Sequence, residues 1–380
     1  MPDFSHEFPL DPGLVHLNHA GVGPWPQRTI DAIRAFAEEN ARWGSRRYLR
    51  WMEREDALRE QLRQLINAPS RDDIALLKST SEALSVVAYG VEWQAGENIV
   101  TARQEFPSNR VVWQSLAPRF GVETRLADLD VGESPEQTLF DLVDENTRLI
   151  AVSSVQFATG LRLDLERIGA YCRRHGILFC VDAIQSVGVM PVDVQAIDAD
   201  FIAADGHKWM LGPEGLALLY CRAERREELQ LNQFGWHMLE NAGDYERLDW
   251  APARNGHRFE AGSPNSLGAH ALHASLSLLL EIGMPTISDM VSRNIEYLID
   301  KYNEHGLEIL SPTEPERRAG IIVFRHPDLS SEALYRHLQT RNVLCALRGG
   351  GIRFSPHFYT PKTALDRALK LVCGAADILS

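Results

Sequence analysis

Residues 177–221 read ILFCVDAIQSVGVMPVDVQAIDADFIAADGHKWMLGPEGLALLYC. Three apolar runs stand out: ILFCV (177–181), DFIAA (200–204) and GLALLY (215–220). An apolar run without alternation suits a strand buried on both faces, the habit of a parallel sheet covered by helices. Outward from this stretch the pattern recurs in IALL (74–77), NIVTA (98–102) and RLIAVSSV (148–155). Helical spacing lies around these runs. Leu58, Leu62, Leu65 and Ile66 fall at i, i+4, i+7 and i+8, and a helix from about Pro26 to Trp43 precedes them with proline in its first turn. The alternation predicts an α/β fold.

The last hundred or so residues differ. Helices at about 267–283 and 288–304 lead to a strand IIVFR (321–325) and a helix near 331–340. The strand GIRFS (351–355) and a final helix bearing Leu365, Ala368, Leu369 and Val372 follow. This predicts a smaller α+β unit, with a boundary near residue 265.

Composition narrows the function. A length of 380 residues with 44% hydrophobic content builds a core without staples. With 39 basic against 52 acidic residues the net charge is −13, which disfavours a nucleic-acid partner. Five scattered cysteines with no C-x-x-C pair predict neither a disulfide framework nor a zinc site. The start MPDFSHEFPLDPG lacks a signal-peptide order, and no apolar run reaches the ~18 residues of a membrane helix. The expectation is a cytoplasmic protein with no membrane partner.

In open α/β sheets, ligands sit beyond the carboxyl ends of the strands. There ILFCV ends in Asp182, with Gln185 three residues on, and DFIAA ends in Asp205-Gly206-His207-Lys208. IALL ends in Lys78-Ser79-Thr80-Ser81-Glu82, at the start of an apparent helix over 82–92. A helix start rich in hydroxyls suits a phosphate. A carboxylate can hold a protonated ring nitrogen, and a lysine among apolar residues can trap an aldehyde. Pyridoxal 5′-phosphate (PLP) requires all three. Singly, each has a plainer reading as a helix cap, a turn residue or a solvated lysine; their joint order at strand ends points to PLP.

The stretch VDAIQSVGVMPVDV…DFIAADGHKWMLGPEGLALLY resembles the class V aminotransferase group of fold-type I PLP-dependent enzymes. That group includes cysteine desulfurases, selenocysteine lyases, isopenicillin N epimerase and, more distantly, kynureninase. The resemblance runs from about Leu17 to the end of the chain. It implies a PLP-dependent transferase fold, with a substrate-side segment 1–20, a large PLP-binding domain 21–265 and a small domain 266–380. By that resemblance Lys208 is the Schiff-base lysine, with His207 beside it at the site. Asp182 pairs with the pyridine nitrogen and Gln185 with the phenolic oxygen, while Thr80 and Ser81 hold the phosphate. Phe106, in QEFPSNRVVW, matches the ring-stacking position; its competing reading is a core phenylalanine. Ser263 in FEAGSPN and Trp236 in FGWH match stretches that reach a neighbouring subunit's cofactor, which implies a homodimer with shared active sites. In GGGIRFSPHFY the strand pattern sends Arg353 to the face opposite Ile352 and Phe354. The group uses an arginine there for the substrate's α-carboxylate. Asn18 and His19, in LNHAGVGPWP, match its substrate-side loop.

Departures shape the expected reaction. Cysteine desulfurases need a mobile-loop cysteine, but NVLCALRGGGIRFS connects without room for one, so Cys345 reads as a core residue. Phe106 stands where those enzymes carry histidine. Asp205 replaces a phosphate-binding serine, so its carboxylate must be neutralised or turned away. Phe157, in SSVQFATG, replaces an asparagine, leaving Gln156 as the polar contact. The expectation is chemistry at Cα of a small amino acid, with Lys208 moving the proton: transamination or a β-elimination of C–S lyase type. A cysteine desulfurase, selenocysteine lyase or amino-acid epimerase is the alternative, and a catalytically silent PLP-binding relative is the non-enzyme one. No G-x-G-x-x-G follows a strand and no P-loop is present. His270 and His273 lack the H-E-x-x-H pattern, so no metal is predicted.

Overall fold

The computed structural model describes residues 3–379. Residues 1 and 2 of the expected N-terminal segment and residue 380 of the expected small domain lie outside the described residues. Seven strands form the main sheet: β1 (Ile74–Leu77), β2 (Asn98–Ala102), β3 (Glu123–Ala127), β4 (Thr147–Ser153), β5 (Leu178–Asp182), β6 (Phe201–Asp205) and β7 (Ala217–Cys221). Their order is β1-β7-β6-β5-β4-β2-β3. Strands β2 to β6 run parallel, while β7 is antiparallel to both β6 and β1. The carboxyl ends of β1, β4, β5 and β6 therefore share one edge.

Every residue of β2, β5, β6 and β7 is buried. Successive side chains of a strand point to opposite faces, and here each face meets its own core. Phe179 and Val181 join one apolar cluster and Leu178 and Cys180 the other. Unbroken apolar runs are the sequence form of such strands. Strand β3, at the sheet edge, is ETRLA with only its last residue buried.

Helix α1 (Gln27–Trp43) and α2 (Tyr48–Leu65) pack with α4 (Ser266–Ile282), and α3 (Thr80–Gly90) packs on β6 and β7. The predicted stripe Leu58, Leu62, Leu65 and Ile66 is fully buried, Ile66 as the residue closing α2. Burial of one such side chain contributes about 1.5–3 kcal/mol. Helix α5 (Met284–Glu304) begins a turn earlier than its spacing predicts, because Pro285 fits a first helical turn. Among the described residues no single helix is long and apolar enough to cross a membrane.

The second sheet is antiparallel, in the order β10 (Ala346–Arg348), β11 (Gly351–Phe354), β9 (Ile322–Arg325), β8 (Glu308–Ile309). The N-terminal segment is sewn to this unit: Val15–His16 pairs parallel with Val343–Leu344, and Asn18 bridges to Ser355. Cys345 lies between these pairings, 4% exposed, and burial pushes its thiol up to about 12.

Candidate active site

A cleft of about 330 Å³ opens at the shared strand edge, bounded by the ends of β1, β5 and β6, the loop 20–22 and the second sheet. Thr80, Ser81, Phe106, Asp182, Gln185, Asp205, His207, Lys208 and Arg353 all line it. Sequence placed these residues far apart; the topology brings them together.

Lys208 sits in the turn after β6, and its neighbour Trp209 is fully buried as the anchor of that turn. Two glycines let the chain press against it. A Cβ at Gly23 would lie 2.4 Å from the Lys208 carbonyl oxygen, and a Cβ at Gly188, where φ is +98°, would lie 2.5 Å from the Trp209 carbonyl. The Lys208 ammonium stands 5.7 Å from the centre of the Phe106 ring. Burial brings its pKa down to about 8; Asp182 and Asp205 oppose the shift and Arg353 reinforces it. An amine in that range is available as a nucleophile near neutral pH.

Asp182 closes β5 and is buried; its Oδ1 accepts from the Ile184 N–H at 3.0 Å. Burial pushes its carboxyl up to about 7, with Glu105 and Asp205 adding to the rise and the Ile184 bond and Lys208 opposing it. Gln185 has a fixed orientation: Oε1 accepts from Trp209 Nε1 at 2.8 Å and Nε2 donates to the Ala20 carbonyl at 3.1 Å. A primary amide has two N–H donors, so one remains for a ligand.

Helix α3 begins at Thr80. Ser79 caps it, its Oγ accepting from the Glu82 N–H at 3.2 Å. This shifts the start two residues ahead of the predicted 82. The Thr80 hydroxyl is buried without a partner among the described residues, and the exposed Ser81 hydroxyl donates to Ser108 at 2.8 Å. Opposite, His207 Nδ1 lies 2.9 Å from Asp205 Oδ1, a close contact without hydrogen-bond alignment. That contact sets the Asp205 carboxylate against the His207 ring.

Arg353 is buried. Its Nη1 donates to the Phe157 carbonyl at 2.6 Å and its Nη2 to Asn18 Oδ1 at 3.2 Å, while Nε has no partner among the described residues. Asn18 thus acts on the cleft through Arg353. His19 does not reach the cleft: it is fully buried, with Nδ1 against the Ser355 carbonyl at 2.8 Å and Nε2 against the Tyr359 hydroxyl at 2.6 Å. Gln156 is buried too, its Nε2 donating to Glu105 Oε1 at 2.9 Å. Within a single chain, Ser263 borders a separate cavity with Lys78 and Glu82, and Trp236 rests near Tyr245; neither lines the Lys208 cleft.

Two residues of this neighbourhood escaped the sequence reading. Glu105 is buried beside Asp182 and accepts from the Ser153 N–H (2.7 Å) and hydroxyl, Gln156 and Asn109 (3.0 Å). No spacing rule marks it beyond Asn109 one helical turn on. Arg348 lines the cleft beside Arg353; the glycine run after it, which marks a hairpin turn, was the available signal.

A family model described as Aminotransferase class-V matches residues 15–358. A probable cysteine desulfurase of Methanothermobacter thermautotrophicus is 32% identical over 381 residues, covering 94% of this chain and 93% of its own. Among solved structures, a lysine-to-alanine variant of C-DES with glycine covalently linked to its PLP cofactor has a TM-score of 0.91 at 25% identity, covering 98% and 99% of the two chains. The cystine C–S lyase C-DES in complex with its reaction product cysteine persulfide has a TM-score of 0.87 at 25% identity, covering 95% and 97%. These relatives favour the desulfurase reading, set second from sequence, over transamination.

Proposed function

Because the chain belongs to the class V aminotransferase family, we propose that it is a PLP-dependent enzyme that cleaves the Cβ–S bond of a small sulfur amino acid. The residues present suit the cofactor. Thr80 offers a buried, unpartnered hydroxyl beside Ser81 at the start of α3 for a phosphate. Asp182, buried at the end of β5, would as a carboxylate pair with the protonated ring nitrogen, and the free N–H of Gln185 would meet the phenolic oxygen. Phe106 would cover the ring face, and Lys208 would hold the aldehyde carbon. Bound there, PLP supplies an electron sink that stabilises negative charge at the substrate's Cα.

The chain's own groups do the remaining work. The Arg353 guanidinium binds the α-carboxylate, oriented by Asn18 and the Phe157 carbonyl. Once the substrate amine has displaced it from the aldehyde carbon, the Lys208 amine would take the proton from Cα, with His207 bordering its path. The electron pair left at Cα then expels sulfur from Cβ as a thiolate, or as a persulfide anion from a disulfide, and water converts the remaining dehydro amino acid to pyruvate and ammonia. One observation favours elimination over transfer to an enzyme thiol: none of the five cysteines lines the cleft, and the Cys345 Sγ is buried 3.8 Å from Gln339 Nε2. C-DES, whose product is cysteine persulfide, is the neighbour with matching chemistry.

This reading includes a homodimer in which Ser263 and Trp236 reach the neighbouring site, and a division of labour near residue 265, with the cofactor groups before it and Arg353 after it. Phe234, Tyr245, Leu248 (96% exposed) and Trp250 leave apolar surface near Trp236 for a second copy to cover.

The test is product analysis with cysteine and cystine. Pyruvate and ammonia are expected. Alanine in place of pyruvate would return the enzyme-persulfide route, and turnover of neither substrate would reject sulfur removal. Borohydride should bleach the yellow holoenzyme, and Lys208→Ala should leave no reducible chromophore.

A further inference from the structure

The second sheet turns a hairpin at the cleft mouth. In its register Ala346 faces Arg353, Leu347 faces Ile352 and Arg348 faces Gly351. Cross-strand partners share a face, and so do residues two apart on one strand. Arg348 therefore projects on the same side as Arg353, and both border the cleft. Gly351 places no side chain opposite Arg348. The turn itself, Gly349 and Gly350 at φ +60° and +80°, adds nothing above it. Gly349 is seated against the backbone of Ala158, where a Cβ would come 2.6 Å from the carbonyl oxygen, so the hairpin is pinned to the segment bearing Phe157.

Among the described residues no carboxylate lies within 4.0 Å of Arg348 or Arg353. The Arg348 side chain donates only to the Leu347 carbonyl at 2.9 Å. Two cations brought to one cleft without an anion repel each other, and a dianionic ligand reverses that cost. Arg353 is buried at the base, whereas Arg348 is exposed at the rim. The two are placed for the two ends of one molecule.

We propose that Arg348 binds a second carboxylate, carried beyond the substrate's sulfur, so that the site selects S-linked dianionic amino acids such as disulfides over free cysteine. This substrate class rests on the C–S cleavage proposed above; the carboxylate subsite itself does not.

The experiment separates the two. Calorimetry on the holoenzyme compares suberate with its monoamide, an unreactive pair differing in one charge. Suberate is expected to bind about tenfold more tightly, a difference of about 1.4 kcal/mol. Arg348→Met should abolish that preference while leaving the monoamide affinity and the melting temperature as they were, and Arg348→Lys should restore part of it. Arg353→Met should weaken both ligands. A preference that survives Arg348→Met, or that is absent from the wild type, overturns the subsite. In the kinetic arm, Arg348→Met should raise KM for cystine about tenfold and leave KM for cysteine unchanged. A binding preference that depends on Arg348 in a protein that turns over neither substrate would keep the subsite and reject the reaction.

Discussion

Trp209 Nε1 donates to Gln185 Oε1 at 2.8 Å, so the residue that follows Lys208 in the chain also sets which end of the Gln185 amide faces the cleft. The lysine turn and the loop after β5 are thereby registered to each other. In Trp209→Phe a ring remains but the donor is lost, leaving a buried oxygen unsatisfied at a cost of about 1–3 kcal/mol. The expected outcome is a lower urea midpoint and a severalfold weaker PLP affinity by equilibrium dialysis. Unchanged affinity would show that the Gln185 orientation does not matter to the cofactor.

Asp182 carries a pH signature. Its carboxyl holds a proton up to about pH 7 in the folded chain, against a normal value near 4 when unfolded. Between those values the unfolded chain has released a proton that the folded chain retains, so this group makes stability fall as pH rises. An amide at this position does not titrate. In the apoprotein, Asp182→Asn should therefore gain on the wild type from pH 4 to 7, by an amount on the order of 2–4 kcal/mol, and run level above 7. Denaturant midpoints measured across that range check it; a constant gap would place the titration elsewhere.

Glu105 offers a stability test. Its two oxygens accept from the Ser153 N–H and hydroxyl, Gln156 and Asn109, and Asn109 accepts in turn from Trp113 at 2.9 Å. Glu105→Gln replaces one acceptor oxygen with a donor facing donors. A loss of about 2–4 kcal/mol is expected, read as a drop of several degrees in the melting temperature. A melt matching the wild type would mean the network relaxes around the amide.

Much of the cleft was legible in the sequence because strands buried on both faces must be apolar throughout, so Asp182 and Asp205 stand out as the first charges after such runs. Strand β3 was not legible: at the sheet edge ETRLA needs no apolar run. Strands β8 and β10, two and three residues long, carry too little pattern to be read at all. Asn18 and His19 look equivalent in sequence, yet one holds Arg353 and the other packs behind it against Tyr359. Which way a side chain turns depends on partners from distant parts of the chain. Arg348 escaped for a related reason: its alignment with Arg353 exists only once the hairpin register does.

The guanidinium of Arg353 leans on Asn18, 335 positions earlier in the chain, and that asparagine is held in place by the pairing of residues 15–16 with 343–344. The head of the polypeptide is thus a brace for a buried cleft guanidinium encoded near its tail. Proteolytic trimming ahead of Gly21 would leave Lys208, Asp182 and Thr80 in the chain while removing this brace. The clipped product would lose the Asn18 contact to Arg353 and the Ala20 contact to Gln185 together, so on the proposed reading it would take up coenzyme more weakly and lose its hold on the substrate.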